Sequence, residues 1–92
     1  MYQKQTYIPE QELYISTDIS LSSALLTMGY KLIAINKQNP TKAEFLFKPK
    51  LSIDDDIDLF WARQLKLDSR TYFENLKLLK NMLHSNAYDP NR

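Results

Sequence analysis

A chain of 92 residues with a single glycine has one position where the backbone turns left-handed without a steric penalty. That residue, Gly29, lies near the end of the stretch STDISLSSALLTMGYKL (residues 16–32). Leu21, Ala24, Leu25 and Met28 fall at i, i+3, i+4 and i+7, which is one helical stripe. Thr17 or Asp18 supplies a side-chain oxygen for an otherwise unpaired first-turn amide, so the helix starts there. Gly29 then suits the residue just past the helix end, where a side chain costs about 1 kcal/mol or more. Ser20, Ser22, Ser23 and Thr27 fill the rest of the circumference, and the stretch reads as scaffold. A phosphate cradle at Ser16-Thr17-Asp18 is disfavoured, because the Asp18 carboxylate repels an anion at that helix start.

Around this helix the pattern reads β-α-β-β-α-α: a small, single α+β domain with a three-stranded sheet and packed helices. LYIS (13–16) is a short strand. YKLIAIN (30–36) and KAEFLFK (42–48) form a hairpin turned by Asn39-Pro40. Strict alternation puts Tyr30, Leu32 and Ala34 on one face, and Lys31, Ile33 and Ile35 on the other. In the second strand Ala43, Phe45 and Phe47 oppose Glu44, Leu46 and Lys48. Both faces carry apolar groups, so either helices cover both or one side meets a partner. Ser52 and Asp55 make a capping pair for a helix whose stripe is Ile53, Ile57, Phe60, Trp61 and Leu65, with Trp61 expected inside the core. Asp68 caps the last helix, whose core stripe is Tyr72, Phe73, Leu76, Leu79 and Leu83. Leu78 and Met82 fall partly outside that stripe. Residues 1–12 read as a flexible N-terminal arm, 13–84 as the domain and 85–92 as a flexible tail.

Net charge is only +1, but it is arranged in blocks. Residues 1–30 carry −2, residues 31–50 carry +4, residues 51–60 carry −4, and residues 61–92 carry +3. Basic blocks flanking an acidic one bind polyanions in some proteins and are plain solvated surface in most. Asp54, Asp56 and Asp58 alternate as at the start of an EF-hand loop. The loop's sixth and twelfth places then hold Leu59 and Leu65 instead of glycine and glutamate, so the acids are read as helix-start residues and no metal is expected.

Catalysis finds no footing in this pattern. His84 is the only histidine and has no evident carboxylate to orient it; there is no cysteine, no glycine-rich loop and no metal-ligand spacing. A non-enzymatic protein without cofactor is expected. The start MYQKQTYIPEQE does not resemble a signal peptide, and no apolar run approaches the roughly 20 residues of a membrane span, so a cytoplasmic setting is expected.

Ser16-Thr17-Asp18, Leu21, Ala24-Leu25, Gly29-Tyr30, Phe45-Leu46-Phe47, Phe60-Trp61 and Asp68 with Tyr72-Phe73 carry a resemblance. Over about residues 13–84 the chain resembles a small bacterial domain family of unknown function, whose short members are often associated with phages and other mobile elements. The resemblance implies a stand-alone domain in a bacterial or phage setting and transfers no catalytic residue. Two functional classes are expected. The first is an accessory subunit that docks on a larger protein, such as a replication or DNA-processing enzyme, or that forms a homodimer. Its contact residues would be Ile33, Ile35, Leu46, Leu78 and Met82. The second is a module for single-stranded DNA or RNA, using Lys42, Lys48, Lys50, Arg70, Lys77 and Lys80. Phe45 and Phe47 between Lys42 and Lys48 faintly resemble the base-stacking strand of RNA-recognition domains, but its glycines are missing and core packing is the expected use of both rings.

Overall fold

In the computed structural model, which describes residues 7–8, 12–39 and 41–85, Asp18 caps helix α1 (Ile19–Thr27). Its carboxylate accepts from the Leu21 amide at 2.9 Å and from the Ser20 hydroxyl. The far end closes by the expected device. Gly29 has φ +96°, its amide donates to the Leu26 carbonyl (3.1 Å), and the Tyr30 amide donates to Leu25 (3.0 Å). These two bonds occupy carbonyls that the helix end would leave unpaired. A Cβ on Gly29 would lie 3.8 Å from the Lys50 ammonium, an ordinary contact, so the demand for glycine is conformational and not steric.

The serines of α1 are packing residues. Ser22 and Ser23 are fully buried. The Ser22 hydroxyl lies 2.8 Å from both Ser16 Oγ and the Asp18 carbonyl, while Ser23 and Thr27 donate to carbonyls one turn back. Each buried hydroxyl is thereby satisfied. Small side chains let α3 (Ser69–His84) approach, and it bonds directly to α1: Tyr72 Oη donates to the Ser20 carbonyl (3.1 Å) and Asn75 Nδ2 to Thr27 Oγ1 (3.0 Å).

The sheet is antiparallel throughout, in the order β1 (Tyr7–Ile8), β2 (Leu13–Ser16), β4 (Glu44–Lys48), β3 (Lys31–Asn36). Strands β2 and β3 both pair with β4 and run parallel to each other, so β2-α1-β3 is a split β-α-β unit with β4 inserted. The order β-α-β-β-α-α stands, with β1 as an added two-residue edge strand paired to β2. Of the arm expected over 1–12, the described residues are Tyr7–Ile8, whose backbone pairs in the sheet, and Glu12, whose carboxylate meets Lys48. The rest of that arm, and the tail beyond Ser85, lie outside the described residues.

Cross-strand partners share a face. Tyr14, Phe47 and Leu32 form one inner row; Ser16, Phe45 and Ile35 form the next. On this face Leu21 and Leu25 of α1, Ile53 and Ile57 of α2 (Ile53–Trp61), and Leu79 of α3 complete one core. Strict alternation fails in β3. The register shifts between Leu32 and Ala34, so the bulge at Ile33 returns Ile35 to the inner side, where it is fully buried.

Two aromatic assignments are corrected as well. Trp61 is 57% exposed, because α2 ends there and the chain turns away through Arg63 at φ 61°. The continued stripe that would have buried it does not exist. Phe73 is also 57% exposed; α3 buries only a narrow face against α1 and the core, and Leu79 is its one fully buried residue.

Candidate interaction surfaces

Among the described residues, two apolar surfaces stand out beyond the core. The first lies where α2 gives way to α3. The connection Ala62–Leu67 leaves an open groove of about 320 Å³ lined by Phe60, Arg63, Leu65, Leu67, Ser69 and Tyr72. Trp61 packs edge-on against Phe60 with ring centroids 4.9 Å apart, and on α3 Phe73 stands beside Tyr72 with the Lys77 ammonium 5.3 Å above its ring. Leu59 and Leu78 add exposed apolar area on the same two helices. Tyrosine, phenylalanine and arginine in a groove, with an exposed tryptophan on the same helix as Phe60, are residue types that carry binding energy in protein interfaces.

The second surface is the other face of the sheet. All three helices send their buried residues to the inner face, so no described helix covers the outer one. Its centre is the row Ile15, Leu46 and Ala34, with Leu13 and the bulged Ile33 beside it. Ile33 is 44% exposed and the others are half-buried. One end of the face carries Lys31 directly opposite Lys48, and Lys48 pairs with Glu12 at 3.1 Å. The other end carries Asn36 opposite Glu44, joined by a 3.2 Å hydrogen bond from Asn36 Nδ2.

The expected contact residues are thus divided. Ile33 and Leu46 lie on the helix-free face, Leu78 is exposed on α3, and Met82 is half-buried against the core. Ile35 belongs to the core and leaves the set. The six expected phosphate-contacting cations are all exposed, but they do not form one surface. Lys42 stands in the hairpin turn and Lys48 holds Glu12. Lys50 sits 4.6 Å over the Tyr30 ring, while Arg70 pairs with Glu74 one turn on. Lys77 covers Phe73, and Lys80 follows it on α3. Lys37, on the same hairpin, caps α3 by donating to the Met82 and Ser85 carbonyls. Phe45 and Phe47 are 1% and 0% exposed, so neither ring can stack a base. Among the described residues no three histidine, aspartate or glutamate side chains converge as a metal site requires.

The acidic run is split between roles. Asp54, Asp55 and Asp56 occupy the first turn of α2, where carboxylates suit the positive end of the helix. Asp56 also accepts from the Tyr30 hydroxyl, which Ser52 Oγ approaches at 3.1 Å. Burial first, and the Asp56 carboxylate second, push the Tyr30 hydroxyl up to about 12. Burial likewise raises the Tyr72 hydroxyl, with Asp18 adding to it. Asp18 is partly buried, which opposes its ionisation. Hydrogen bonds from the Ser20 hydroxyl and the Leu21 and Ser20 amides outweigh that and hold its carboxyl below the usual range. Tyr30 and Tyr72 each tie one element to another, and Asp18 closes the start of α1.

Fold and surfaces together define a small α+β domain with a split β-α-β sheet, one bare sheet face and an aromatic corner. The chain belongs to the family described as Domain of unknown function (DUF5659), which it matches over residues 11–85. No curated protein and no solved structure shows significant similarity to it. No helix among the described residues is long and apolar enough to cross a membrane.

Proposed function

We propose that the chain is a non-enzymatic, cytoplasmic accessory protein that docks on a larger protein through the α2–α3 corner. The observation that carries this reading is the groove of Phe60, Leu65, Leu67 and Tyr72 between two helices that also expose Trp61 and Phe73. Leaving large aromatics in water costs apolar transfer energy that a partner would recover. The resemblance to mobile-element proteins supports a DNA-processing or replication protein of a bacterial mobile element or phage as that partner. Placing photoreactive benzoylphenylalanine at positions 61 and 73 in the native cell should yield the same single larger adduct from both. Position 38, exposed on the hairpin, should yield none. Adducts that are absent at 61 and 73, or equal at all three positions, overturn the reading.

A second reading, contact with single-stranded DNA or RNA, is favoured by one observation. Lys31 and Lys48 face each other across β3 and β4, and Glu12 offsets only one of the two charges, so an external phosphate would offset the other. Labelled oligonucleotides followed by fluorescence anisotropy test it. Binding that falls on the order of tenfold between about 50 and 200 mM salt supports it. Weakening by charge reversal at Lys77 and Lys80 would place the phosphates on α3, and insensitivity would place them on the hairpin. An unchanged signal at roughly tens of micromolar protein in low salt, where non-specific binders already respond, ends this reading.

A further inference from the structure

The outer sheet face has an order of charge along its strands that is complementary to itself. Reading along β4, Lys48 is followed by Leu46 and then Glu44; along β3, Lys31 is followed by Ala34 and then Asn36. Glu12, paired with Lys48 at 3.1 Å, offsets one of the two lysines, so the face is still net positive at one end, apolar in the middle and negative at the other. Lys48 and Glu44 are four residues apart, about 13 Å along the strand. The geometry points to a second copy of this chain as the occupant of the face, related by a two-fold axis that lies between the two sheets and runs across their strands.

That axis keeps each strand over its own counterpart and reverses its direction. Leu46 then meets the partner's Leu46, and Ile15 the partner's Ile15. Lys48 stands over Glu44 of the partner subunit, with Lys31 over the Asn36 end. A two-fold along the strands would instead stack lysine on lysine, and charge rejects it. Sheets packed in this way lie about 10 Å apart and within about 30° of aligned, a spacing that the medium-sized side chains of the face fill. The contact is isologous, so it closes at two copies and does not propagate. The inference stands apart from the docking proposed above, which uses the α2–α3 corner.

Sedimentation velocity on the full chain over a concentration series is the test. A concentration-dependent dimer is expected that weakens as salt rises, because the end contacts are exposed ion pairs. Leu46→Glu should weaken it by about tenfold or more with far-UV circular dichroism unchanged. Glu44→Lys alone and Lys31→Glu/Lys48→Glu alone should each lose self-association, since both ends then carry one sign. Mixed together, the two variants should recover a heterodimer. These charge changes lie on the surface and keep the test valid if Leu46→Glu fails to fold. A parent that stays monomeric at every concentration overturns the inference, as does failure of the mixed variants to pair. So does a dimer lost on Trp61→Ala/Phe73→Ala but kept in Leu46→Glu, which would move the self-contact to the corner. Benzoylphenylalanine at position 46 that captures a different protein, and not the chain itself, overturns it too.

Discussion

Phe47→Ala should destabilise the domain by about 3–5 kcal/mol, whereas Trp61→Ala should cost about 1 kcal/mol or less. Phe47 is fully buried between Tyr14 and Leu32, on the face that all three helices cover. Truncation there removes a ring from close packing and leaves a cavity that strand pairing on both sides prevents from collapsing. A domain of this size has about 5–15 kcal/mol of total stability, so the loss is a large fraction of it. Trp61 keeps more than half its surface in water and loses mainly an edge-on contact with Phe60. Thermal melts read the difference. At about 4–8 °C per kcal/mol, Phe47→Ala shifts the midpoint by well over ten degrees and Trp61→Ala by a few. Equal shifts would mean that the core described above is misassigned.

Stability should also fall between about pH 10 and 12 through one hydroxyl. Tyr30 is buried, and burial together with Asp56 raises its folded pKa from 10.0 to about 12. The native state holds this proton more tightly than the unfolded chain does. The stabilisation is therefore fully present below pH 10 and is lost as pH climbs through the folded value. The displacement corresponds to at most about 2.7 kcal/mol. Solvent reaches the hydroxyl end at Ser52, and screening there reduces the effect to about 1–2 kcal/mol. Tyr30→Phe removes the titrating group. It should be less stable than the parent at neutral pH, having lost the bonds to Ser52 and Asp56, and the gap should narrow as pH rises. Urea midpoints of both proteins across that range check it. A gap that stays constant to pH 12 would show that Tyr30 titrates normally.

Much of the fold was legible because its signals are local. The capping aspartates Asp18 and Asp68, the stripe Leu21-Ala24-Leu25 and the stop at Gly29 each depend on residues within a turn or two. The errors arose where a regular period was extended past an irregularity. A single bulge at Ile33 reversed the side on which Ile35 falls, and no propensity at that position marks it. The end of α2 at Trp61 is set by the left-handed turn at Arg63, a residue with no preference for that conformation. Strand β1 has two residues and takes its identity from pairing with β2 alone. The candidate surfaces were partly visible for the same reason. Ile33 and Leu46 emerge from strand alternation and Leu78 from the helix stripe. The groove at the corner comes from how two helices meet, which no single segment encodes.

Lys37 directly follows β3, yet its ammonium donates to the carbonyls of Met82 (2.7 Å) and Ser85 (3.1 Å), at the far end of α3. Tyr72 and Asn75 likewise reach back to Ser20 and Thr27. Each of these bonds joins residues 45 or more positions apart. During translation the sheet and the first two helices therefore leave the ribosome with the serine side of α1 uncovered and the place of Leu79 vacant. The nascent chain has no finished sub-structure to rest in, because contacts of such separation form only when the last helix arrives. A chain truncated before Met82 should therefore be open and cut faster than the parent in limited proteolysis.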